Sequence, residues 1–189
     1  MALQNWYVKQ VDRQAITKFI QDWHYSGSIN GCISDYCYAL YSPDDKMKGA
    51  MFFGRMAMAN QWKRFGQKAE DVIELRRLCC VNDTPKNAES YFIGRALRLL
   101  QAAWEGKVVV SYADAEYNHT GVIYKASNFQ YLGFKAGSKV IIHGEKRYHD
   151  KSIRAKYKGK LKPFAVRLKK LLEVGEAYYK QTKGKHTYI

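Results

Sequence analysis

The sequence predicts an α/β or α+β fold: a mixed central sheet flanked by helices, with a basic helical extension at the C-terminal end. Three observations predict it. Apolar residues recur at helical spacing in stretches separated by strand-like runs. The elements follow one another as helix, hairpin, strand, helix, strand, helix, strand, an order that layers helices on a sheet. The 189 residues are 47% apolar and 14% aromatic, enough for one real core and unlike a disordered chain.

Each element has its own signal. "RQAITKFIQDWHY" places Ala15, Ile16, Phe19, Ile20 and Trp23 on one helical face and stops at the glycines of "HYSGSINGC". "DYCYALYS" and "KGAMFFGRMA" read as two strands joined by the "PDDKMKG" turn. "DVIELRRLCCV" is a further strand. "NDTPKNAESYFIGRALRLLQAAWEG" is a loop and then a helix that packs Phe92, Ala96, Leu99, Leu100 and Ala103 and halts at Gly106. "KVVVSYAD" is a continuous apolar run, as expected of a strand buried on both faces. A helix is expected from about Gly121 to Leu132, with Val122, Ile123, Ala126, Phe129 and Leu132 on one side and Tyr124 and Tyr131 on the other. "GFKAGSKVIIHGEKRYH" gives one or two closing strands, and "KPFAVRLKKLLEVGEAYYKQ" a last amphipathic helix.

The net charge is +15 and it is uneven. From Lys146 to Ile189 there are 14 Lys/Arg against 3 Asp/Glu, a local +11 that leaves +4 for the first 145 residues. Two parts are therefore expected: a catalytic core over 1–145 and a basic segment over 146–189, packed on the same domain. A polyanion is the natural partner of such a segment, because phosphate contacts release counterions; the alternative is a basic helix that is merely soluble. Arg154, Lys156, Lys158, Lys160, Arg167, Lys169 and Lys170 are the expected contacts to such a polyanion. No apolar run reaches 18 residues, and the start lacks the layout of a secretory signal. A cytoplasmic protein with no membrane partner is expected. Cys32, Cys37, Cys79 and Cys80 read as buried reduced thiols; "CISDYC" has no Cys/His pair following at zinc-ligand spacing.

Several polar residues fall where chemistry could sit. Asp114 closes a strand, where it is either a turn cap or a site residue. Tyr124 follows on the next helix, as amphipathic surface or as a proton donor. His24, beside Tyr25, is either a partner for a helix C-terminus or a general base. Arg76 and Arg77 alternate faces in "IELRRLCCV", so one of them points into whatever cavity the sheet lines and could clamp an anion. Thr84, Asn87 and Ser90 lead into a helix start, as caps or as part of a phosphate site with Gly94.

Taken together, "DWHYSG", "ELRRLCCVNDTPKNAESYFIGRALRLL", "VSYADAEYNHTGVIYKASNFQYLG" and "HDKSIRAKYKGKLK" resemble the Mom family of phage DNA-modification proteins, in order, from about residue 20 to about residue 160. The resemblance implies a fold like the GNAT acyltransferases, which grip an acyl-CoA such as acetyl-CoA at a loop-to-helix junction. Here that junction is "NDTPKNAESYFIG", with Phe92 in place of the first expected glycine and Gly94 retained. The implied cofactor-binding residues are Arg77, Asn87, Ser90 and Gly94; the implied catalytic residues are His24, Tyr25, Asp114 and Tyr124. The family modifies the exocyclic amine of adenine in phage DNA by a carbamoylmethyl or acyl-type transfer and so protects it from restriction. The partners it implies are double-stranded DNA with a flipped adenine and an acyl or glycyl donor, in the host cytoplasm. Iron has been discussed for the family, and the sequence shows no metal-ligand spacing for it. Two other readings are a GNAT-type enzyme acting on a protein or small-molecule amine, and a non-catalytic nucleic-acid-binding protein.

Overall fold

In the computed structural model, which describes residues 3–189, the chain divides into two compact units. The first contains everything up to Ala113, together with 121–133 and 187–189; the second contains 114–120 and 134–186.

The first unit is built on antiparallel strands β1 (Tyr7–Val11), β2 (Tyr36–Tyr41), β3 (Met47–Gly54) and β4 (Val72–Cys80), with β5 (Val108–Asp114) parallel to β4. With β12 (Gly184–Tyr188) and β6 (Tyr131–Ala136), its sheet has the order β1-β2-β3-β4-β5-β12-β6, the last two strands entering through Thr187–Ile189 and Tyr131–Gly133. β1 escapes the sequence reading because "YVKQV" is short and abuts a stronger helical signal. The helix α1 (Arg13–Trp23) buries Ile16 and Ile20 fully, four residues apart on one stripe. They join Ile29, Cys37, Ala39, Ala50 and Phe52 on one face of the sheet. The helix α2 (Ala88–Ala103) crosses from β4 to β5 and packs Ala88, Phe92, Ile93, Ala96 and Leu100 with Tyr38, Leu40, Met51 and Phe53 on the other face. Each of the large ones, such as Ile16, Phe92 and Leu100, contributes about 1.5–3 kcal/mol by burial. Gly49 lets α2 approach: a Cβ there would meet the Phe92 ring at 3.2 Å and Cys80 Sγ at 2.9 Å. Leu99 and Ala103, expected in this core, face solvent instead.

The expected helix over 121–132 is shorter. α3 spans Val122–Ala126, one and a half turns; Asn128, at φ 62°, breaks the run, and β6 (Tyr131–Ala136) follows. With so few turns the predicted faces do not hold. Val122 is 69% exposed, whereas Tyr124 packs on the core beside Ile123. Gly121 at φ 78° makes this packing possible, since a Cβ would sit 2.2 Å from the ring of Tyr188.

The second unit holds a three-stranded sheet in the order β11-β7-β8, from β7 (Lys139–His143), β8 (Lys146–His149) and β11 (Tyr178–Gln181). It also carries a hairpin, β9 (Lys156–Tyr157) and β10 (Lys160–Leu161), and the helix α4 (Pro163–Glu173). Ile141, Leu168 and Ala177 form its core, with Ile153, Leu171 and Leu172 against them. The expected terminal helix thus ends at Glu173. Gly175, at φ 77°, turns the chain, and Tyr178–Gln181 is a strand. β12 (Gly184–Tyr188) then returns to the first unit. The second unit contains 16 Lys/Arg and 6 Asp/Glu, a net +10. All four cysteines are free, with Cys32, Cys37 and Cys79 buried and Cys80 half-buried. Among the described residues no helix is long and apolar enough to cross a membrane.

Candidate active site

The parallel pairing of β4 and β5 begins at Val72–Val108 and ends at Leu75–Ser111. Both strands continue, β4 as far as Cys80 and β5 past Tyr112 and Ala113. Beyond Leu75 the two therefore part. A gap between parallel strands at their carboxyl ends is a natural ligand position, and the loop after β4 leads straight into α2.

A bulge shapes the β4 side of this gap. Phe52 lies opposite Arg77 and Phe53 opposite Leu75, so Arg76 is the extra residue. Arg76 and Arg77 consequently do not alternate. Arg77 is opposite Phe52, and Arg76 reaches Cys32 Sγ at 3.7 Å; Phe52 and Cys32 belong to the core on the α1 face. Arg76 also donates to the carbonyl of Arg55 at 2.9 Å and pairs with Glu74 at 3.4 Å, both side chains nearly buried. Arg77 Nη1 donates to the Arg76 carbonyl at 2.7 Å. The Nε atoms of both arginines are buried without a hydrogen-bond partner. A buried guanidinium N–H in that condition is what an anion would satisfy.

Tyr124 stands on the α2 face. Its ring lies 5.7 Å from Phe129 and 5.3 Å from Tyr188. Burial drives its pKa above the ordinary phenol value, a hydrogen bond with Ser111 partly offsets this, and the nearby Glu74 carboxylate raises it further. Tyr124 is therefore a neutral phenol with a proton to give. Tyr112, on the same strand, is raised for the same first reason; Gln61 Nε2 donates to its hydroxyl at 2.6 Å. Ser111, Glu74 and Tyr112 were not singled out from the sequence. The signal for them was a serine inside "VVVSYAD" and a glutamate inside "VIELRRL", polar residues where a buried strand should be apolar.

At the start of α2 no side chain caps the helix; Asn87 takes the left-handed conformation at φ 67°. Ser90 Oγ donates to the carbonyl of Asn87 at 3.1 Å. Asn87, Ser90 and Gly94 are three and four residues apart and share one face. A Cβ on Gly94 would meet nothing within 4 Å, so no part of the protein requires a glycine there. Phe92, standing where a glycine was expected, points into the core and is fully buried.

His24 caps the C-terminus of α1 through its backbone N–H to Ile20 and is 7% exposed. Its Nδ1 accepts from Ser26 N–H at 3.1 Å and lies 2.8 Å from Ser26 Oγ, which leaves the exchangeable proton of the neutral ring on Nε2. The Tyr25 ring lies against it, 4.2 Å between centroids and tilted by 33°. His24 and Tyr124 are thus carried by elements on opposite faces of the sheet. In the second unit Asp114 accepts from Glu116 N–H at 3.0 Å and pairs with Lys185 at 3.3 Å. Arg154 pairs with Asp150 at 3.0 Å, while Lys156, Lys158, Lys160, Arg167, Lys169 and Lys170 are exposed. Among the described residues no group of three metal-ligating side chains occurs. A surface hollow of about 450 Å³, lined by Tyr36, Lys68, Asp71 and Trp104, lies before β4 and β5 begin, at the end opposite the parting.

Solved structures share this arrangement of strands and helices. An N-acetyltransferase from Staphylococcus aureus Mu50 superposes with a TM-score of 0.53 at 11% identity, over 98% of this chain and 97% of that one. Spermidine N-acetyltransferase from Vibrio cholerae, in complex with CoA and spermine, gives 0.52 at 10% identity over 98% and 95%. At such identities the likeness is one of fold, the GNAT acetyltransferase fold. In sequence, the methylcarbamoylase Mom of Escherichia phage Mu is 27% identical over 143 residues, 74% of this chain. The match spans 58% of that relative's length. A profile of the Mom protein family matches residues 5–189, nearly the whole chain, and the chain belongs to that family.

Proposed function

We propose that the protein is a transferase that modifies the exocyclic amine of adenine in DNA, taking an acyl-type group from an acyl-CoA such as acetyl-CoA. The observation that carries this reading is a half-buried, neutral Tyr124 packed on the core beside the parting of β4 and β5 in a member of the Mom family.

The residues present fit a CoA donor. The uncapped start of α2 offers backbone amides to phosphates, and Ser90 and the open face of Gly94 lie along the same side. Phe92 does not obstruct, because its ring is in the core. A bound acyl-CoA would supply a thioester carbon for attack by the adenine nitrogen, with cleavage of the carbon–sulfur bond.

The chain's own residues manage the protons. Adenine's exocyclic amine is a weak nucleophile, its lone pair delocalised into the ring, and it must lose a proton. The Asp114 carboxylate takes that proton, since His24 already carries its own on Nε2 and has Nδ1 occupied by Ser26 N–H. Asp114 also accepts a hydrogen bond from the amine and orients it, and Tyr124 gives its phenolic proton to the departing thiolate. Tyr25, 44% exposed, offers a ring on which a base flipped out of the duplex stacks. Exposed lysines and Arg167 of the second unit contact backbone phosphates and fix position without reading sequence. The outcome is protection of phage DNA from restriction.

Release of free thiol from acetyl-CoA tests the acceptor. Release is expected to depend on adenine-containing duplex. Release that depends instead on spermidine or a lysine peptide, with no response to DNA, would overturn it.

A further inference from the structure

Residues 155–162 of the second unit form a two-residue hairpin. Tyr157 pairs with Lys160 and Lys156 with Leu161, and Lys162 N–H donates to the Ala155 carbonyl at 2.9 Å. Both central residues are left-handed, Lys158 at φ 48° and Gly159 at φ 80°. Such turns favour Asn or Gly at both positions, because a side chain is strained there. This chain nevertheless places a lysine at the first of them. Strain kept at one residue of an otherwise regular turn points to a use for its side chain.

Alternation then sorts the hairpin's faces. Lys156 and Leu161 share one face, with Leu161 half-buried. Tyr157, Lys160 and Lys162 share the other, and all three are exposed. Tyr157 is 67% exposed, more than Tyr178 or Tyr179. Lys158 Nζ lies 5.6 Å from its ring centroid. The result is an aromatic ring on a stiff ribbon, ringed by three lysines, on a unit of net charge +10. A cationic surface that tracks phosphates while an aromatic ring stacks on bases is how proteins hold opened nucleic-acid strands. Lysines alone would serve for phosphate contact; the exposed ring among them adds affinity for the face of a base.

We propose that this hairpin is a DNA-probing finger: Tyr157 stacks on an unpaired nucleobase while Lys158, Lys160 and Lys162 hold the flanking phosphates. The inference rests on the DNA reading above and extends it, giving the second unit a preference for locally opened duplex in addition to its sequence-independent charge contacts. Burial of Leu161 keeps the ribbon in place, and the two left-handed residues fix the register that presents the ring.

The test compares two duplexes of one sequence, fully paired or carrying a single mismatched base, titrated by fluorescence anisotropy over a salt series. Tyr157→Ala is expected to lose roughly 5- to 150-fold in affinity for the mismatched duplex, with the salt slope unchanged. Tyr157→Phe keeps the affinity. Lys158→Ala with Lys160→Ala lowers the slope by about 1.8 and keeps the preference for the mismatch. Circular dichroism confirms folding, which an exposed ring does not support. If Tyr157→Ala binds both duplexes as the wild type does, the stacking role is refuted while the DNA reading stands. If the wild type binds neither duplex, the DNA reading fails and the finger with it.

Discussion

Replacing Tyr124 with Phe removes one oxygen from the proposed site and leaves the packing nearly intact. The ring keeps its neighbours Phe129 and Tyr188, at 5.7 and 5.3 Å. What is lost is a hydrogen bond with Ser111, whose hydroxyl retains only a long contact of 3.5 Å to the Leu75 carbonyl. A hydrogen bond of this kind contributes about 0.5–1.5 kcal/mol. For a chain of this length that lowers Tm by roughly 1–6 °C. The variant therefore stays folded at 25 °C. The chemical step should suffer far more. Loss of a positioned proton donor lowers rate by roughly 10²–10⁴, or about 2.7–5.4 kcal/mol in the barrier. Single-turnover transfer to an adenine-containing duplex, at saturating donor, separates the two effects. The raised phenol pKa adds a second signature: any alkaline fall in the wild-type rate from loss of this proton should centre above the ordinary phenol value of 10.0. A Tyr124→Phe variant that transfers within about threefold of the wild type would refute the proton-donor role. So would an alkaline fall in rate centred well below 10.

Other outcomes follow from the same geometry. Asp114→Asn keeps an oxygen to accept from Glu116 N–H but discharges the Lys185 pair; adduct formation should fall by at least about 10²-fold with DNA affinity and Tm little changed, and a wild-type rate would remove its orienting role. Gly94→Ala puts a methyl into open space on a helix, so urea unfolding should show about 0.5–1 kcal/mol of added stability, while KM for the acyl-CoA rises if the donor lies over that face. An unchanged KM argues against that placement. Arg167, Lys169 and Lys170 changed together to Ala should lower the slope of log affinity against log salt by about 2.7, and an unchanged slope denies phosphate contact along α4. Burial raises the Cys79 thiol from its ordinary 9.0 to about 12, and raises Cys37, Tyr38 and Tyr112 as well. The neutral forms are favoured in the folded state, so this stability is complete below pH 9 and is lost as pH rises toward 12. Each such group costs roughly 1.4 kcal/mol per pH unit within its window. Denaturation at pH 8, 9.5 and 10.5 should show the fall, shallower in Cys79→Ala; a flat profile would contradict the burial.

The central strands and the first two helices were legible because their patterns are strong. Ile16 and Ile20 mark α1, and Phe92, Ala96 and Leu100 mark α2. The region after Asp114 was harder. Its apolar residues fit a helical period, but Asn128 in the left-handed region ends the helix after Ala126, and tertiary pairing takes Tyr131 into a strand. The tail misled in the same way, with "LLEVGEAYYK" continuing a helical spacing across a glycine that stops it. At the site, single positions could be named from motif and resemblance, yet their setting could not. The bulge at Arg76 puts both arginines on one face, an arrangement that strict alternation forbids. The Ser111–Tyr124 hydrogen bond joins residues 13 positions apart, through packing that no local pattern encodes. The basic surface was plain as a charge count, but the hairpin that shapes part of it is set by two left-handed residues.

Mass spectrometry of nucleosides, digested from duplex DNA after incubation with the protein and an acyl-CoA, bears most directly on the central claim. A new deoxyadenosine adduct is expected, with the acyl group on the exocyclic nitrogen, and it should be lost when Tyr124→Phe replaces the wild type. Unmodified deoxyadenosine, with the group found on another base, on a polyamine or on the protein itself, would contradict it.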